Sequence, residues 1–169
     1  LEQRDVISQA GVDRFCATFG LEHEGTFAPH GYHWCLCLPD APTAKLGPDG
    51  HPLRDDSIES FLPPVPLPRR MWASSKVAFL QPLHIDAVVT RTSRILSISE
   101  KSGNSGQLVF VDVAHETSTE HGLAVREVQS IVYREAVGLE TPLSPPVESA
   151  CSFDANGWEG QRVVVPNEP

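Results

Sequence analysis

The second half of the chain carries four long segments in which apolar side chains alternate with polar ones. A period of two is typical of β-strands, because successive side chains point to opposite faces of a sheet. Strands of ten or more residues exceed the usual length of about five or six, which predicts a strongly twisted sheet that curls around other elements. The four predicted strands cover residues 71–80, 85–100, 107–119 and 123–135.

The connections between these strands are short and rich in turn-forming residues. They cover residues 81–84, 101–106 and 120–122. Strands joined by tight turns pair antiparallel with their neighbours in sequence. We therefore predict an antiparallel sheet in which each long strand pairs with the next.

The N-terminal part of the chain has a helical pattern instead. Apolar residues recur at i, i+3, i+4 and i+7 from Val12, which predicts an amphipathic helix over residues 5–21. Ser8 is the expected N-cap and Gly20 the expected stop. Residues 31–38 are dense in large apolar side chains and fit either a short buried helix or a buried strand. The order of elements predicts an α+β fold, and a long curled sheet around a central helix favours a hotdog fold.

Two segments lack any periodicity. Residues 51–70 form a predicted loop, because their prolines exclude a helix interior and a central strand. Residues 137–169 also contain prolines and fit an extended linker. We therefore expect one domain over residues 1–136, followed by a linker over residues 137–169.

Charge and cysteine content narrow the possible partners and the compartment. A formal net charge of −9 argues against nucleic acids and anionic membrane surfaces as partners. No apolar run approaches the roughly 20 residues that cross a bilayer. Cys35 and Cys37 are too close to bridge each other, and with Cys16 and Cys151 they are interpreted as reduced thiols. These features predict a cytoplasmic protein.

A pair of arginines stands out against the acidic background. Arg69 and Arg70 are the last two residues of the predicted loop 51–70, hereafter the proline-rich loop, and precede the first long strand. Guanidinium groups match phosphate oxygens, so the pair is a candidate contact for a small anionic ligand. The alternative is a solvated or salt-bridged pair that anchors the loop.

A string of potential metal ligands lies in the segment around residue 33. His30, His33, Cys35 and Cys37 form a His-x-x-His-x-Cys-x-Cys pattern. Structural zinc sites usually combine two cysteines spaced by two to four residues with a second, distant pair of ligands. The Cys-x-Cys spacing here does not fit that pattern, so no metal site is predicted. The sequence also has no dinucleotide fingerprint, Walker loop or Ser-His-Asp pattern, and no cofactor is predicted.

Residues 61–73 read Phe-Leu-Pro-Pro-Val-Pro-Leu-Pro-Arg-Arg-Met-Trp-Ala, an unusual string. It resembles the N-terminal domain of a MaoC-related family that includes mesaconyl-CoA hydratases and 3-hydroxyacyl-thioester dehydratases. The resemblance runs from about Asp5 to Glu135, and more loosely to Pro169. Further matching stretches are His33-Trp34, Leu46-Gly-Pro-Asp-Gly-His51, Ser99-Glu-Lys-Ser-Gly103, Leu108-Val-Phe-Val111, His115-Glu116 and Gln129-Ser-Ile-Val-Tyr-Arg-Glu135.

The resemblance implies a double hotdog in which two halves enclose an acyl-thioester, from CoA or a carrier protein. The reaction it implies is reversible addition of water to a 2-enoyl-thioester. In the family the catalytic motif lies in the C-terminal half, and the given sequence has no Gly-Asp-x-Asn-Pro-x-His string. No catalytic residue is therefore carried over, and residues 137–169 are expected to lead toward an absent second hotdog. The residues expected to contact substrate are Arg69, Arg70, Trp72, His33 and Trp34.

Two other functions remain open from the sequence. One is a non-catalytic homodimeric hotdog that binds acyl-CoA or another apolar ligand. The other is a hotdog thioesterase, which would need an acidic residue on its central helix. Asp40 is the acid near that segment, and prolines flank it. Core packing of His33, Trp34 and Trp72 is the structural alternative to a role in binding.

Overall fold

The computed structural model describes residues 1–47, 50–57, 59–103 and 106–136. Residues 1–136 form one compact unit. The predicted linker, residues 137–169, lies outside the described residues. The strands are β1 (Glu2–Val6), β2 (Phe27–Ala28), β3 (Arg69–Phe79), β4 (Leu83–His84), β5 (Val88–Gly103), β6 (Gly106–Thr119) and β7 (Gly122–Arg134). The α-helix is α1 (Gln9–Phe19), and 3-10 turns cover Tyr32–Cys35 and Thr43–Lys45.

Five of the strands form one antiparallel sheet in the order β1-β5-β6-β7-β3. The predicted hairpins β5–β6 and β6–β7 are confirmed. The predicted pairing of residues 71–80 with 85–100 is wrong, because β3 pairs with β7 at the other side of the sheet. The connection is not a tight turn. Within it β4 pairs with β2, and Asp86 adopts a left-handed φ of 67°.

The N-terminal helix is shorter than predicted. Ser8 is its N-cap, as expected, and its hydroxyl accepts the Gly11 N–H at 3.1 Å. Gly20, at φ 62°, ends the helix. Asp5 lies instead in β1, opposite Val89, because the main chain there pairs with β5. The segment around residue 33 forms a 3-10 turn rather than a strand.

Strand β3 contains a β-bulge. Its register against β7 shifts between Trp72, opposite Ile131, and Ser74, opposite Ser130, so Ala73 is the extra residue. As a result Ser75, rather than Ser74, lies opposite Gln129.

Two apolar clusters lie on one face of the sheet, which we call the inner face. Strand β7 contributes to both of them, since Val125 belongs to the first cluster and Tyr133 to the second, and even spacing places both side chains on the same face. Helix α1 covers the first cluster, and the proline-rich loop covers the second through Val65 and Leu67. The helix therefore covers one end of the inner face and the loop covers the other.

The proline-rich loop is held by a single arginine. The two terminal nitrogens of Arg54 donate to the carbonyl oxygens of Leu67, at 2.6 Å, and Val65, at 2.5 Å. The guanidinium also lies over the Tyr133 ring, 5.4 Å from its centroid. These contacts fix the loop just before β3 begins at Arg69.

In the described part of the chain, no helix has the length and apolar character that crossing a bilayer requires.

Candidate functional site

A groove of about 830 Å³ opens between β3, β7 and the proline-rich loop. This volume falls within the range of about 300–1,000 Å³ that is common for small-molecule sites. Its strand side is formed by β3 and β7, and its loop side by residues on either side of Arg54. The lining residues are Gly47, His51, Pro52, Leu53, Arg54, Asp56, Leu62, Pro68, Arg69, Arg70, Met71, Trp72, Gln129 and Ile131.

Arg69 and Arg70 lie at one end of this groove. As consecutive residues of a strand they start toward opposite faces of the sheet, but β3 is an edge strand and both side chains line the groove. Both are exposed, and neither guanidinium makes an ion pair with a carboxylate of the described residues. Two unpaired cations at a groove can bind an anionic group.

Trp72 and Trp34 form the aromatic part of the site. Trp72 lines the groove, and its ring lies edge-to-face with that of Trp34 at a centroid distance of 6.2 Å. Both side chains are about half exposed, so their apolar surface is available to a ligand or a partner.

One buried carboxylate connects the two indoles. The Nε1 of Trp34 donates to both carboxylate oxygens of Glu127, at 3.2 Å each. The Nε1 of Trp72 donates to Ser75 Oγ at 3.1 Å, and the Ser75 hydroxyl donates to Glu127. Glu127 is only 5% exposed, so these donors replace the water that its carboxylate oxygens lose on burial. The arrangement fixes the orientation of both rings.

His33 lies behind this pair rather than in the groove. It is buried, and its ring lies 4.6 Å from that of Trp34 and 5.4 Å from that of Phe79. Its Nε2 is 3.8 Å from a Glu127 oxygen. Burial lowers the pKa of the His33 imidazole and so favours the neutral ring. The negative charge of Glu127 opposes this effect but is the smaller of the two.

His115 is half-buried and lies opposite Glu127 on the neighbouring strand β6. Its Nδ1 is 2.7 Å from Ser93 Oγ, and its Nε2 is 3.4 Å from the Gln129 side-chain oxygen. Burial lowers the pKa of His115 as well. The neighbouring Glu116 pairs instead with Arg126 on the opposite face, so the two adjacent residues do not form an acid–base pair.

The structure therefore brings together four of the five predicted site residues. Arg69, Arg70 and Trp72 line the groove, and Trp34 packs against Trp72. His33 does not line it. Whether any of them contacts substrate stays a prediction.

Sequence reasoning did not single out Glu127, Ser75 or Gln129. All three face inward, and alternation along β7 puts Glu127 and Gln129 on the same face as Val125. Two polar residues within an otherwise apolar stripe were the available signal.

The His-x-x-His-x-Cys-x-Cys string does not converge on a point. Among the residues that the structure describes, no three His, Cys, Asp or Glu side chains are arranged to hold a metal ion. Cys35 is exposed, whereas Cys37 is buried at a left-handed φ of 53°.

Comparison with known proteins identifies the family. Residues 31–156 match the model of hydroxyacyl-thioester dehydratase type 2. The chain belongs to this family. It is also similar to a curated mesaconyl-C(4)-CoA hydratase of Chloroflexus aurantiacus, with 41% identity over 139 residues. The match covers 82% of this chain and 46% of that protein, so the chain spans less than half the length of this relative.

Several solved structures share the fold of the present chain at low sequence identity. HtdX of Mycobacterium tuberculosis has a TM-score of 0.53 at 18% identity, covering 86% of this chain and 52% of HtdX. A MaoC-like dehydratase of Phytophthora capsici has a TM-score of 0.52 at 16% identity, covering 87% of this chain and 50% of the other. The ChsH1–ChsH2 complex of M. tuberculosis has a TM-score of 0.52 at 9% identity, and the match covers 87% of this chain and 90% of that one. The predicted α+β hotdog fold is confirmed.

Proposed function

We propose that this chain shapes the substrate groove of an acyl-thioester hydratase/dehydratase, which adds water reversibly to a 2-enoyl-thioester. The substrate is an acyl-CoA or an acyl group on a carrier protein. Membership of the hydroxyacyl-thioester dehydratase type 2 family supports the reaction class. The C. aurantiacus relative, a mesaconyl-C(4)-CoA hydratase by name, supports a CoA thioester.

The observation that carries the proposal is the groove between β3 and the proline-rich loop. Arg69 and Arg70 provide positive charge for the phosphates of CoA, and Trp72 provides an apolar surface beside them. An acyl-thioester has the same two parts, since its CoA or carrier portion bears anionic phosphate and its acyl chain is apolar. The positive charge and the apolar surface of the groove match these two parts.

The acid–base group is assigned to a second hotdog. Hydration needs a group that activates water and a donor that polarises the thioester carbonyl. Among the described groove-lining residues, the carboxylates and imidazoles belong to Asp56 and His51 on the loop, and no motif of the family's catalytic type surrounds them. Asp40, the acid considered for a thioesterase, is exposed and lies outside any helix.

The second hotdog is proposed to pair along β3. This strand is hydrogen-bonded to β7 on one side, and within the described part of the chain no strand pairs with its other side. An unpaired edge eleven residues long is a ready template for another strand. Met71 and Trp72 are large, exposed apolar residues on this edge, and a partner would cover them.

We also propose a cytoplasmic location. The three described cysteines, Cys16, Cys35 and Cys37, are free thiols, as expected in a reducing compartment.

The test combines intact mass of the native protein with hydration of a panel of 2-enoyl-CoA thioesters, followed by loss of the enoyl absorbance. A mass well above 18.5 kDa together with turnover supports a groove-shaping half in a longer enzyme. Turnover at a mass of 18.5 kDa would refute the assignment of the acid–base group to a second hotdog. Tight binding of saturated acyl-CoA without turnover, at any mass, would favour the non-catalytic homodimeric module instead.

A further inference from the structure

A second cavity lies at the other end of β3. It has a volume of about 280 Å³, just under the usual lower limit of about 300 Å³ for small-molecule sites. It shares no lining residue with the groove that contains Arg69 and Arg70. Its aromatic lining residues are Phe27, His30, His33 and Phe79.

His33 is the unusual member of this lining. Its exposed fraction is 5%, yet neither ring nitrogen has a hydrogen-bond partner among the described residues. The nearest carboxylate, Glu127, is 3.8 Å from Nε2, which is beyond hydrogen-bond distance. A buried polar group without a partner destabilises the fold, and a bound ligand that supplies the partner removes that penalty.

The walls of the cavity favour flat rings. Phe27 and Phe79 line it and remain 43% and 39% exposed, which is high for phenylalanine. The His30 ring already stacks on Phe79, with centroids 4.0 Å apart and an interplanar angle of 8°. A flat aromatic ligand would cover the exposed ring surface and extend this stacking.

The lining also restricts charge. It contains no Asp, Glu, Lys or Arg, so a charged ligand would lose its hydration without gaining a counter-ion. A neutral imidazole has one donor and one acceptor. A proton on Nε2, the nitrogen facing Glu127, leaves Nδ1 of His33 as the acceptor for a ligand N–H. Both ring nitrogens are buried, so the ring must turn slightly toward the cavity for this hydrogen bond to form.

We propose that this cavity binds a small, neutral heteroaromatic ring whose N–H donates to His33. The proposal is independent of the hydratase assignment, because the cavity and the groove have different linings and the test needs no turnover.

The test compares two probes of nearly equal shape, indole and benzofuran, which differ in having an N–H or an oxygen at the same ring position. Binding to the native protein is measured by calorimetry, and the ring nitrogens of the histidines are followed by NMR. We expect indole to bind about tenfold more tightly than benzofuran, as one hydrogen bond of about 1.4 kcal/mol predicts. Indole should shift the His33 ring resonances, and benzofuran should leave them nearly unchanged.

The matched variant is His33→Phe, which keeps a flat ring between Trp34 and Phe79 and removes both nitrogens. We expect the preference for indole to disappear while benzofuran affinity stays within about twofold. Absence of saturable indole binding to the native protein would overturn the proposal. So would a tenfold preference that persists in His33→Phe. If the variant does not fold, the His33 resonances of the native protein decide alone, and an unshifted His33 at indole saturation refutes the site.

Discussion

The indole nitrogen of Trp34 lies 3.2 Å from each carboxylate oxygen of Glu127, across a sequence separation of 93 residues. Through Ser75 the same carboxylate also holds Trp72, which lies in the groove proposed for substrate. A ligand in that groove therefore meets an aromatic surface whose orientation is fixed before binding, which lowers the entropic cost of association.

Replacing Glu127 with alanine is expected to destabilise the protein strongly. The change leaves the Trp34 indole N–H and the Ser75 hydroxyl without their acceptor and opens a small cavity. We expect the free energy of unfolding to fall by about 3 kcal/mol, measured by urea denaturation. Tryptophan fluorescence of the folded state should change as well, because both indoles lose a fixed partner.

The control is Glu116→Ala, which removes a carboxylate of the same length from a neighbouring strand. Glu116 pairs with Arg126 at 3.2 Å, and both side chains are substantially exposed. The expected loss is below about 1 kcal/mol. An equal loss in the two variants would contradict the role given to Glu127.

Arg70→Ala is expected to weaken binding of a saturated acyl-CoA such as butyryl-CoA, which occupies the groove without reacting. Loss of one guanidinium from the groove should raise the dissociation constant about tenfold at low salt, by loss of a charge-assisted phosphate contact. The effect should shrink at high salt because exposed charges are screened. Isothermal titration at two ionic strengths measures both effects.

A suitable control for Arg70 is Arg126→Ala, which removes the same side chain from the opposite face of the sheet. Its butyryl-CoA affinity should stay near that of the native protein. Equal weakening in the two variants would indicate a general charge effect, and the groove would lose its support as the CoA site.

Acid should destabilise the protein through His33, which is buried, and His115, which is half-buried. Burial lowers the folded-state pKa of His33 and His115, whereas in the unfolded chain histidine titrates near its ordinary value of about 6.5. Below that value the unfolded state takes up more protons than the folded state. The stability is therefore fully present above about pH 6.5 and is lost as the pH falls toward the folded-state pKa values.

His33→Phe should remove part of this pH dependence. Urea midpoints at pH 7.5, 6.5 and 5.5 measure it, and the decline toward acid should be shallower in the variant than in the native protein. His115→Gln should also make the decline shallower, and the double variant should show the weakest dependence. Parallel declines in the native protein and both single variants would refute this explanation.

Gly11→Ala should destabilise the protein although alanine is the better helix former. A Cβ at this position of α1 would overlap the hydroxyl oxygen of Tyr32, which is buried and packs edge-to-face on Phe15. The helical gain of about 1 kcal/mol is expected to be outweighed by an overpacking cost of about 1–3 kcal/mol. Thermal denaturation should show a lower midpoint.

The control for Gly11 is Gly25→Ala, which adds the same carbon outside the helix, where nothing lies within 4 Å of it. It should leave the midpoint unchanged or slightly raised. A rise of equal size in both variants would show that Tyr32 yields without cost.

Local patterns in the sequence predicted local structure well. The strand predicted over residues 123–135 is Gly122–Arg134, and Ser8 caps α1 as expected. Both follow from short-range chemistry: alternation along a strand, and a hydroxyl that accepts a free helical N–H. Tight turns likewise predicted the β5–β6 and β6–β7 hairpins.

Long-range pairing was not available from those patterns. Strand β3 lies beside β7 because the chain after Phe79 leaves the sheet, and no signal in residues 81–84 reports that departure. Strand β1 was not predicted, and its last two residues, Asp5 and Val6, were assigned to the helix. The polar sequence of Glu2–Val6 shows no apolar alternation, as is common for edge strands. The importance of Glu127 depended on knowing which face of β7 is buried, and only the packed fold determines that.

The bulge at Ala73 decides which side chains of β3 face inward. In an unbulged ladder Trp72 would share its face with Ser74, Lys76 and Ala78; the added residue passes that face to Ser75, Val77 and Phe79 instead. If Ala73 were paired in the ladder instead of bulging out, Lys76 would lie opposite Glu127, and Ser75 and Phe79 would turn to the opposite face of the sheet. The alternation of inward and outward side chains is therefore offset by one residue between the two ends of β3. This one small residue keeps the groove and the cavity on the same side of the sheet.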